Sequence, residues 1–424
     1  MRVHDERPPR YPWWQLVLLG LVAAAEAAVW PIRRMWTSRE PLDGYGLAHF
    51  ASAAGDTLLA IALADSVFFS LPVDQAADKV AAYLGLTMLP LALAGPALVP
   101  LLDRAGPRRA ISFAAALGRC AIALYAAPRL GTFTLFPAAL GLLVFSKVHA
   151  ITKNGLTMAY ASPGDGLMRA NARLGRIAVG GALWAFPFGF AFLKVWGSAG
   201  PMYLASAVFL GAALVNLRLP HPSMKPERRD RVGPRGRINA LAAAALGAGG
   251  MRAASGFLLF LLAFALRREG QPTWWFGVLA AAGVTGSFLA DLLAPRLPRN
   301  LQEELIVIGC VLAAGVGALL AFEIFGLPVL ALFAVTAGAT TEFGRLAFQS
   351  LMQRLAPEGA LGRVFVRYEI VFQLAWVAGA FLPAVLPVSF KGGILALAGF
   401  YLSLGGIYFW RRGRSVRALT AGDA

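Results

Sequence analysis

Apolar runs, each close to the length of one membrane crossing, follow one another along this chain with short connections between them. They fall at 47–72, 80–101, 109–127, 133–156, 172–195, 199–217, 239–266, 274–293, 304–325, 327–351, 365–387 and 392–410, which makes twelve. A helix needs about 20 such residues to cross a hydrocarbon core. No water is present there to satisfy backbone amides, so a crossing segment is either a helix or a strand of a closed barrel. The period-two alternation of a barrel strand is absent. With 58% hydrophobic and 14% charged residues the chain has no soluble surface to offer. The expected fold class is all-α, a polytopic membrane protein.

A net charge of +17 would point a soluble protein toward nucleic acid, but here its placement gives a different reason for it. Alternate connections and the C-terminal tail hold most of the Lys and Arg, whereas the other set holds only Lys79, Arg129, Lys194, Arg267, Arg268 and Lys391. The positive-inside rule then puts both ends of the twelve-helix core in the cytoplasm, and no nucleic-acid partner is expected. The organisation read from this is an N-terminal cytoplasmic or interfacial extension over 1–46, a bundle over 47–217, a basic linker over 218–238, a second bundle over 239–412 and a tail over 413–424. Within the extension, 13–30 is apolar but short and holds Glu26. It reads as a helix lying on the membrane, with Trp13 and Trp14 at headgroup level and Arg33 and Arg34 beyond.

The second half repeats the first. Gly95, Pro107 and Arg108 recur as Gly286, Pro298 and Arg299; Gly118 recurs as Gly309; Pro163, Arg169 and Arg173 recur as Pro357, Arg363 and Arg367. Duplicated hydrophobic halves are a common construction of secondary transporters. Cys120 and Cys310 both lie inside apolar spans, so no disulfide framework or zinc site is expected. There is no Gly-rich phosphate cradle and no His-Glu-x-x-His pattern, and no clustered His, Asp or Glu at a membrane surface on which to assemble catalysis. The chain is expected to be neither an enzyme nor a cofactor protein.

The connection after the 80–101 span reads Asp103-Arg104-Ala105-Gly106-Pro107-Arg108-Arg109. It resembles the loop signature of the major facilitator superfamily, Gly-x-x-x-Asp-Arg-x-Gly-x-Arg-Arg, with Val99 in the leading Gly position. The resemblance covers residues 47–412 and implies two pseudo-symmetric six-helix bundles that rock around a central cavity. It also implies a cytoplasmic gate of Asp103, Arg104, Gly106, Arg108 and Arg109 against the start of the 365–387 span, where Arg363, Arg367 and Glu369 stand. A carboxylate at that helix N-terminus is favoured by the dipole and by a nearby guanidinium. The drug-antiport element Gly-Pro-x-x-Gly-Gly is not found on the fifth span, which carries Gly175, Gly180, Gly181, Pro187 and Gly189 instead.

Ionisable residues at a helix centre cost roughly +2.5 to +3.5 kcal/mol each on insertion scales, so each asks for a reason. The candidates for the cavity and for proton coupling are Asp56, Asp65, Arg119, Lys147, Arg252, Glu342 and Arg345. Asp56 and Asp65 are about 13 Å apart along one helix and are not a shared carboxylate pair. Since the first and seventh helices of the resembling family face each other, Asp56 and Arg252 could pair. Structural pairing and coupling both stay open. Glu342 and Arg345 can satisfy each other at i, i+3. Lys147 is expected to face the cavity, while His149 reads as a packed polar residue. No metal site is expected. The reading is a monomeric, multi-pass bacterial inner-membrane transporter coupled to protons, with membrane lipid around it. Export of an amphipathic compound competes with uptake of a polar nutrient or organic anion, and with lipid or lysolipid flipping on the same fold. Trp184, Phe186, Phe188, Phe190, Phe192 and Trp376 lean toward export if they line the cavity.

Overall fold

A computed structural model describes residues 26, 29–30, 32–63, 108–130, 132, 134–161, 166–222, 234–268, 270, 272–298, 301–356, 361–386 and 388–420. Among them are eleven long helices: α1 (Pro41–Leu63), α2 (Arg108–Ala126), α3 (Leu135–Tyr160), α4 (Leu167–Trp196), α5 (Ala199–Arg218), α6 (Pro234–Arg268), α7 (Thr273–Leu293), α8 (Glu303–Glu323), α9 (Leu327–Leu355), α10 (Leu361–Val385) and α11 (Phe390–Thr420). Ten of these elements are long and apolar enough to cross a membrane by length and composition. The 80–101 span, Asp65, Asp103, Arg104, Gly106, and the Gly95, Pro107, Pro163, Arg299 and Pro357 members of the repeat lie outside the described residues.

The apolar runs match the helices well in their middles and less well at their ends. α1 starts at Pro41, six residues inside the stretch assigned to the N-terminal extension. Proline suits a first helical turn, and Asp43 there faces the positive end of the helix dipole. Those polar residues hide the helix from a hydropathy reading. The earlier start puts Asp56 fifteen residues in, about 22 Å along the axis, far from that end of the helix. Likewise α6 begins at Pro234 inside the assigned linker, and α11 runs to Thr420 inside the assigned tail. An apolar run marks where a helix meets hydrocarbon, not where its hydrogen bonds end.

The duplication is visible in how the helices pack. The neighbours α1–α4, α1–α5, α2–α3 and α2–α5 of the first half recur as α6–α10, α6–α11, α8–α9 and α8–α11 of the second. Arg169 and Arg173 are the third and seventh residues of α4, and Arg363 and Arg367 are the third and seventh of α10. Several of these contacts bring backbones together. A Cβ on Gly286 of α7 would stand 1.9 Å from the Val335 carbonyl of α9, and one on Gly338 of α9 would stand 2.0 Å from the Gly283 carbonyl of α7. Gly379 of α10 meets the Ala253 carbonyl of α6 in the same way, as Gly256 of α6 meets the Trp376 carbonyl of α10. Close approach through small residues is how helices associate where lipid offers no hydrophobic drive. Gly309 meets nothing within 4 Å, so its repeat with Gly118, which receives the Phe145 ring, has no shared packing reason.

The two halves meet at the end where α5 finishes and α6 starts, called here the linker end. There Ile111 and Ala115 of α2 and Val148 and Ile151 of α3 join Leu241, Ala248, Phe348, Met352 and Phe365 of the second half in one buried apolar cluster. A polar bridge accompanies it. Asn171 on α4 donates to Gln353 Oε1 on α9 at 2.8 Å, and Gln353 Nε2 donates to the Asn154 carbonyl of α3 at 3.1 Å. All three residues are buried. Toward the opposite end the large clusters belong to one half each, Leu58, Ala62 and Ala127 to the first and Leu261, Ala321 and Phe390 to the second. The molecule is sealed at the linker end.

Gly286→Leu should lower the melting temperature of the purified protein in detergent, with a loss of about 1–3 kcal/mol for overpacking, whereas Gly309→Ala should leave it unchanged or higher. Gln353→Leu strips the bridge and leaves buried amide groups unpaired, a cost of about 1–3 kcal/mol. It should also raise the rate at which a thiol reagent labels a cysteine placed at Ser350.

Candidate functional site

Charge is concentrated in two places. The first is inside the N-terminal half. Arg119 of α2, fully buried, points Nη1 at Asp56 Oδ1 of α1 at 3.2 Å and Nη2 at the Ser52 hydroxyl at 3.0 Å. Its guanidinium lies 4.5 Å from the centroid of the Phe209 ring on α5. Asp56 keeps 44% of its side chain open while Arg119 has none. The pairing of Asp56 with Arg252 therefore does not form. Arg119 is nearer because α1 and α2 belong to one half and both pack on α5, so the carboxylate finds its counter-charge inside its own bundle.

The second cluster lies where the halves face each other. Lys147 Nζ of α3 is 3.1 Å from Glu369 Oε1 of α10, and Gln373, one turn on, donates to the same oxygen at 3.0 Å. Lys147 thus has an acidic partner, which sequence spacing hid because the partner comes from the other half. Glu369 does not stand at the helix end, where the resemblance set it. It is the ninth residue of α10 and lines a cleft with Arg252 of α6 and Glu342 and Arg345 of α9. Glu342 and Arg345 hold each other as an i, i+3 pair, as their spacing suggests, and Arg345 also donates to Gln349 at 3.0 Å. Arg252 makes no ion pair among the described residues; Glu369 is near enough to feel its charge. Phe348, Phe365, Tyr368 and Phe372 complete the wall.

Arg108 is buried against Gly155 of α3, and Arg109 donates to the Leu219 carbonyl beyond α5 at 2.5 Å, so both tie the first half to itself. Arg363 and Arg367 are exposed in the first two turns of α10, with Asp103, their expected partner, outside the described residues. An inter-half contact that sequence reading missed is Arg176 of α4, which donates to the Asp291 carbonyl of α7, while Asp291 packs on Gly175. Phe186, Phe188 and Phe190 are exposed on α4, and neither they nor Trp376 line the charged cleft.

A further polar group was also missed. His49 Nδ1 of α1 lies 3.1 Å from His149 Nε2 of α3, with the rings stacked at a centroid distance of 5.4 Å. Tyr45 stands against both rings. Tyr45, His49, Ser52 and Asp56 follow i, i+4, i+7, i+11, a polar stripe along one face of α1. That spacing is the signal in the sequence that puts His49 on a polar face, while nothing in it points to His149 as the partner. Among the described residues no three metal-ligating side chains come together.

No family model matches the chain. It is 24% identical to an uncharacterised protein of Mycobacterium leprae (strain TN), over 94% of this chain and 78% of that one, and 24% identical to an uncharacterised protein of Mycobacterium tuberculosis, over 83% and 70%. Among solved structures it is similar to a bacterial homologue of the iron transporter ferroportin in an outward-facing state, with TM-score 0.71 and 15% identity over 88% of this chain and 99% of that one. It is also similar to the human organic anion transporter TETRAN, with TM-score 0.66 and 17% identity over 87% and 99%. The third is FucP, a major facilitator superfamily transporter in the outward conformation, with TM-score 0.62 and 15% identity over 88% and 98%. Apolar helices in two packed, repeating halves, sealed at one end and carrying charge between them, make this a multi-pass membrane protein with the fold of the major facilitator superfamily.

Proposed function

We propose that this chain is a secondary active transporter that moves a small amphipathic molecule bearing an anionic group by alternating access, in the export direction and coupled to protons through Asp56. It would sit in the bacterial inner membrane with the linker end and both termini cytoplasmic, where the basic connections belong. The observation that carries the substrate class is the charge balance of the inter-half cleft. Lys147, Arg252 and Arg345 supply three cations against Glu342 and Glu369, and the two carboxylates already hold Lys147 and Arg345. Arg252 is the surplus, and a guanidinium in such a place is suited to a carboxylate or phosphate oxygen. The aromatic wall offers the apolar body of a ligand its contact, which favours an amphipathic compound over a sugar-like one.

One observation favours uptake instead. A proton on Asp56 removes the counter-charge of Arg119, so proton and anion binding would assist each other, and mutual assistance is the logic of symport. The two readings differ in sign. In proteoliposomes loaded with a pH dye, an organic anion added outside should make the lumen alkaline if the protein exchanges it for protons and acidic if the two travel together. In either direction Asp56→Asn should abolish the pH change. If it leaves proton flux intact, Asp56 has no coupling role. Arg252→Ala should weaken equilibrium binding of a transported anion about tenfold or more, measured by scintillation proximity with labelled compound. Unchanged affinity would remove Arg252 from the substrate site.

A further inference from the structure

The transport reading uses Asp56 and the inter-half cleft but leaves the histidine pair unused. The sequence has four histidines, and two of them meet here from different helices. At 3.1 Å the rings share one proton: one ring nitrogen donates and the other accepts. Among the described residues no third His, Cys, Asp or Glu joins the pair to complete a metal site. Two buried atoms around the pair have no partner: His149 Nδ1 and the Tyr45 hydroxyl. His149 is 5% exposed and Tyr45 is fully buried, so these are polar groups kept out of water at a cost of about 1–3 kcal/mol each. Packing alone gives no reason to keep them.

The charged and titratable groups that face the pair are Tyr45 on α1, Arg119 on α2 and Lys153 on α3, together with Arg345 of α9. Tyr160, at the end of α3, stands against Tyr45 and donates its hydroxyl to the Pro220 carbonyl at 2.7 Å. Arg345 belongs to the other half, and with the linker end closed its charge reaches His49. A second proton on the pair would make an imidazolium in a mostly buried place beside Lys153 and two guanidinium groups, Arg119 and Arg345, each of which already holds a carboxylate. When the halves part at the linker end, Arg345 withdraws and water enters. Proton affinity at this place is thereby tied to which end of the molecule is open.

We propose that the His49–His149 pair is a proton-binding station on the translocation path, separate from Asp56, that holds one shared proton when the linker end is sealed and takes up a second when that end opens. It rests on the transport reading for its purpose but not for its physics. Asp56 exchanges protons with the open side; Ser52 and the histidine pair carry the stripe of α1 onward toward Tyr45 and the linker end. Binding of the second proton from water at the open linker end forms an N–H bond on a ring nitrogen of the pair, and its loss along the α1 stripe toward Asp56 as that end closes restores the neutral pair.

By linkage, a proton that prefers the open linker end must also favour opening it. The test therefore reads conformation in the full chain, without substrate. Spin labels on Thr132→Cys and Ile324→Cys, in a Cys120→Ala/Cys310→Ala background in lipid nanodiscs, report the distance across the end opposite the linker by pulsed dipolar spectroscopy. Acidification from about pH 8 to about pH 5, the range in which histidine titrates, should shorten that distance in the otherwise unaltered protein. A tenfold difference in proton affinity between the two forms would move their ratio by up to about tenfold. His149→Asn and His49→Gln should each remove the shift, and Asp56→Asn should leave part of it. A shift that persists in both histidine variants, or that only Asp56→Asn removes, overturns the proposal. So does an absence of any shift in the protein with both histidines present, a result that does not depend on either variant folding. Failure of the anion reading in the flux assay would leave this experiment unaffected.

Discussion

Hydrocarbon satisfies no hydrogen bond, and that single constraint orders most of what this molecule does with its polar residues. Backbone groups are taken care of by helix. Side chains are not, and Arg119, Arg345, Lys147 and Glu369 are each matched by a partner while Arg252 is set at the edge of the cleft. Arg119 is enclosed only because Asp56, Ser52 and the Phe209 face meet it. Arg345 is held by Glu342 and Gln349 on its own helix. Lys147 and Glu369 satisfy each other across the halves, so that pair also reports how close the halves are. A buried pair of this kind adds little net stability, yet removing one member would strand the other. Their retention is better understood through what they hold in register than through what they contribute to folding.

The same constraint explains how much was legible beforehand. Hydropathy alone places an apolar run on each of the eleven described helices, ten of which are long and apolar enough to cross, because length and apolarity are dictated by the bilayer and not by tertiary context. It misplaces the start of α1, where Asp43, Gly44 and Gly46 interrupt the apolar signal although Pro41 and Asp43 favour a helix N-terminus. The Glu342–Arg345 pair was readable since both ends lie on one helix face. Asp56–Arg119 and Lys147–Glu369 were not, as nothing in a linear chain states that residues 63 or 222 positions apart will touch. The histidine pair falls between these cases. Its stripe on α1 was readable, but the ring on α3 that completes it was not.

Sequence similarity adds little chemistry here, and structural similarity supplies the architecture. Neighbours at 14–17% identity share the fold while being described as handling iron, fucose and organic anions, a spread of cargo that fits a common scaffold with its specificity written in a few cavity residues. In this chain the charged cleft holds Arg252, Arg345, Glu342 and Glu369 beside the rings of Phe348, Phe365, Tyr368 and Phe372. Exposed Phe186, Phe188 and Phe190 on α4 show that aromatic content by itself says nothing about a cavity. Position relative to the other half decides it.

The glycine contacts carry a mechanical consequence. Where Gly286 and Gly338 bring α7 and α9 backbone to backbone, and Gly256 and Gly379 do the same for α6 and α10, no layer of side chains remains to deform. Shear between such helices would drive carbonyl oxygens into Cα atoms at once, so each pair behaves as a welded plate. The contacts of α4 with α7 and α9 instead include long polar side chains, Arg176 reaching to Asp291 and Asn171 to Gln353, which rotate and let go, beside the small apolar cluster of Ala172, Ala294 and Leu346. Compliance is thus placed at the seam and stiffness within the halves. A molecule so jointed swings; it does not bend.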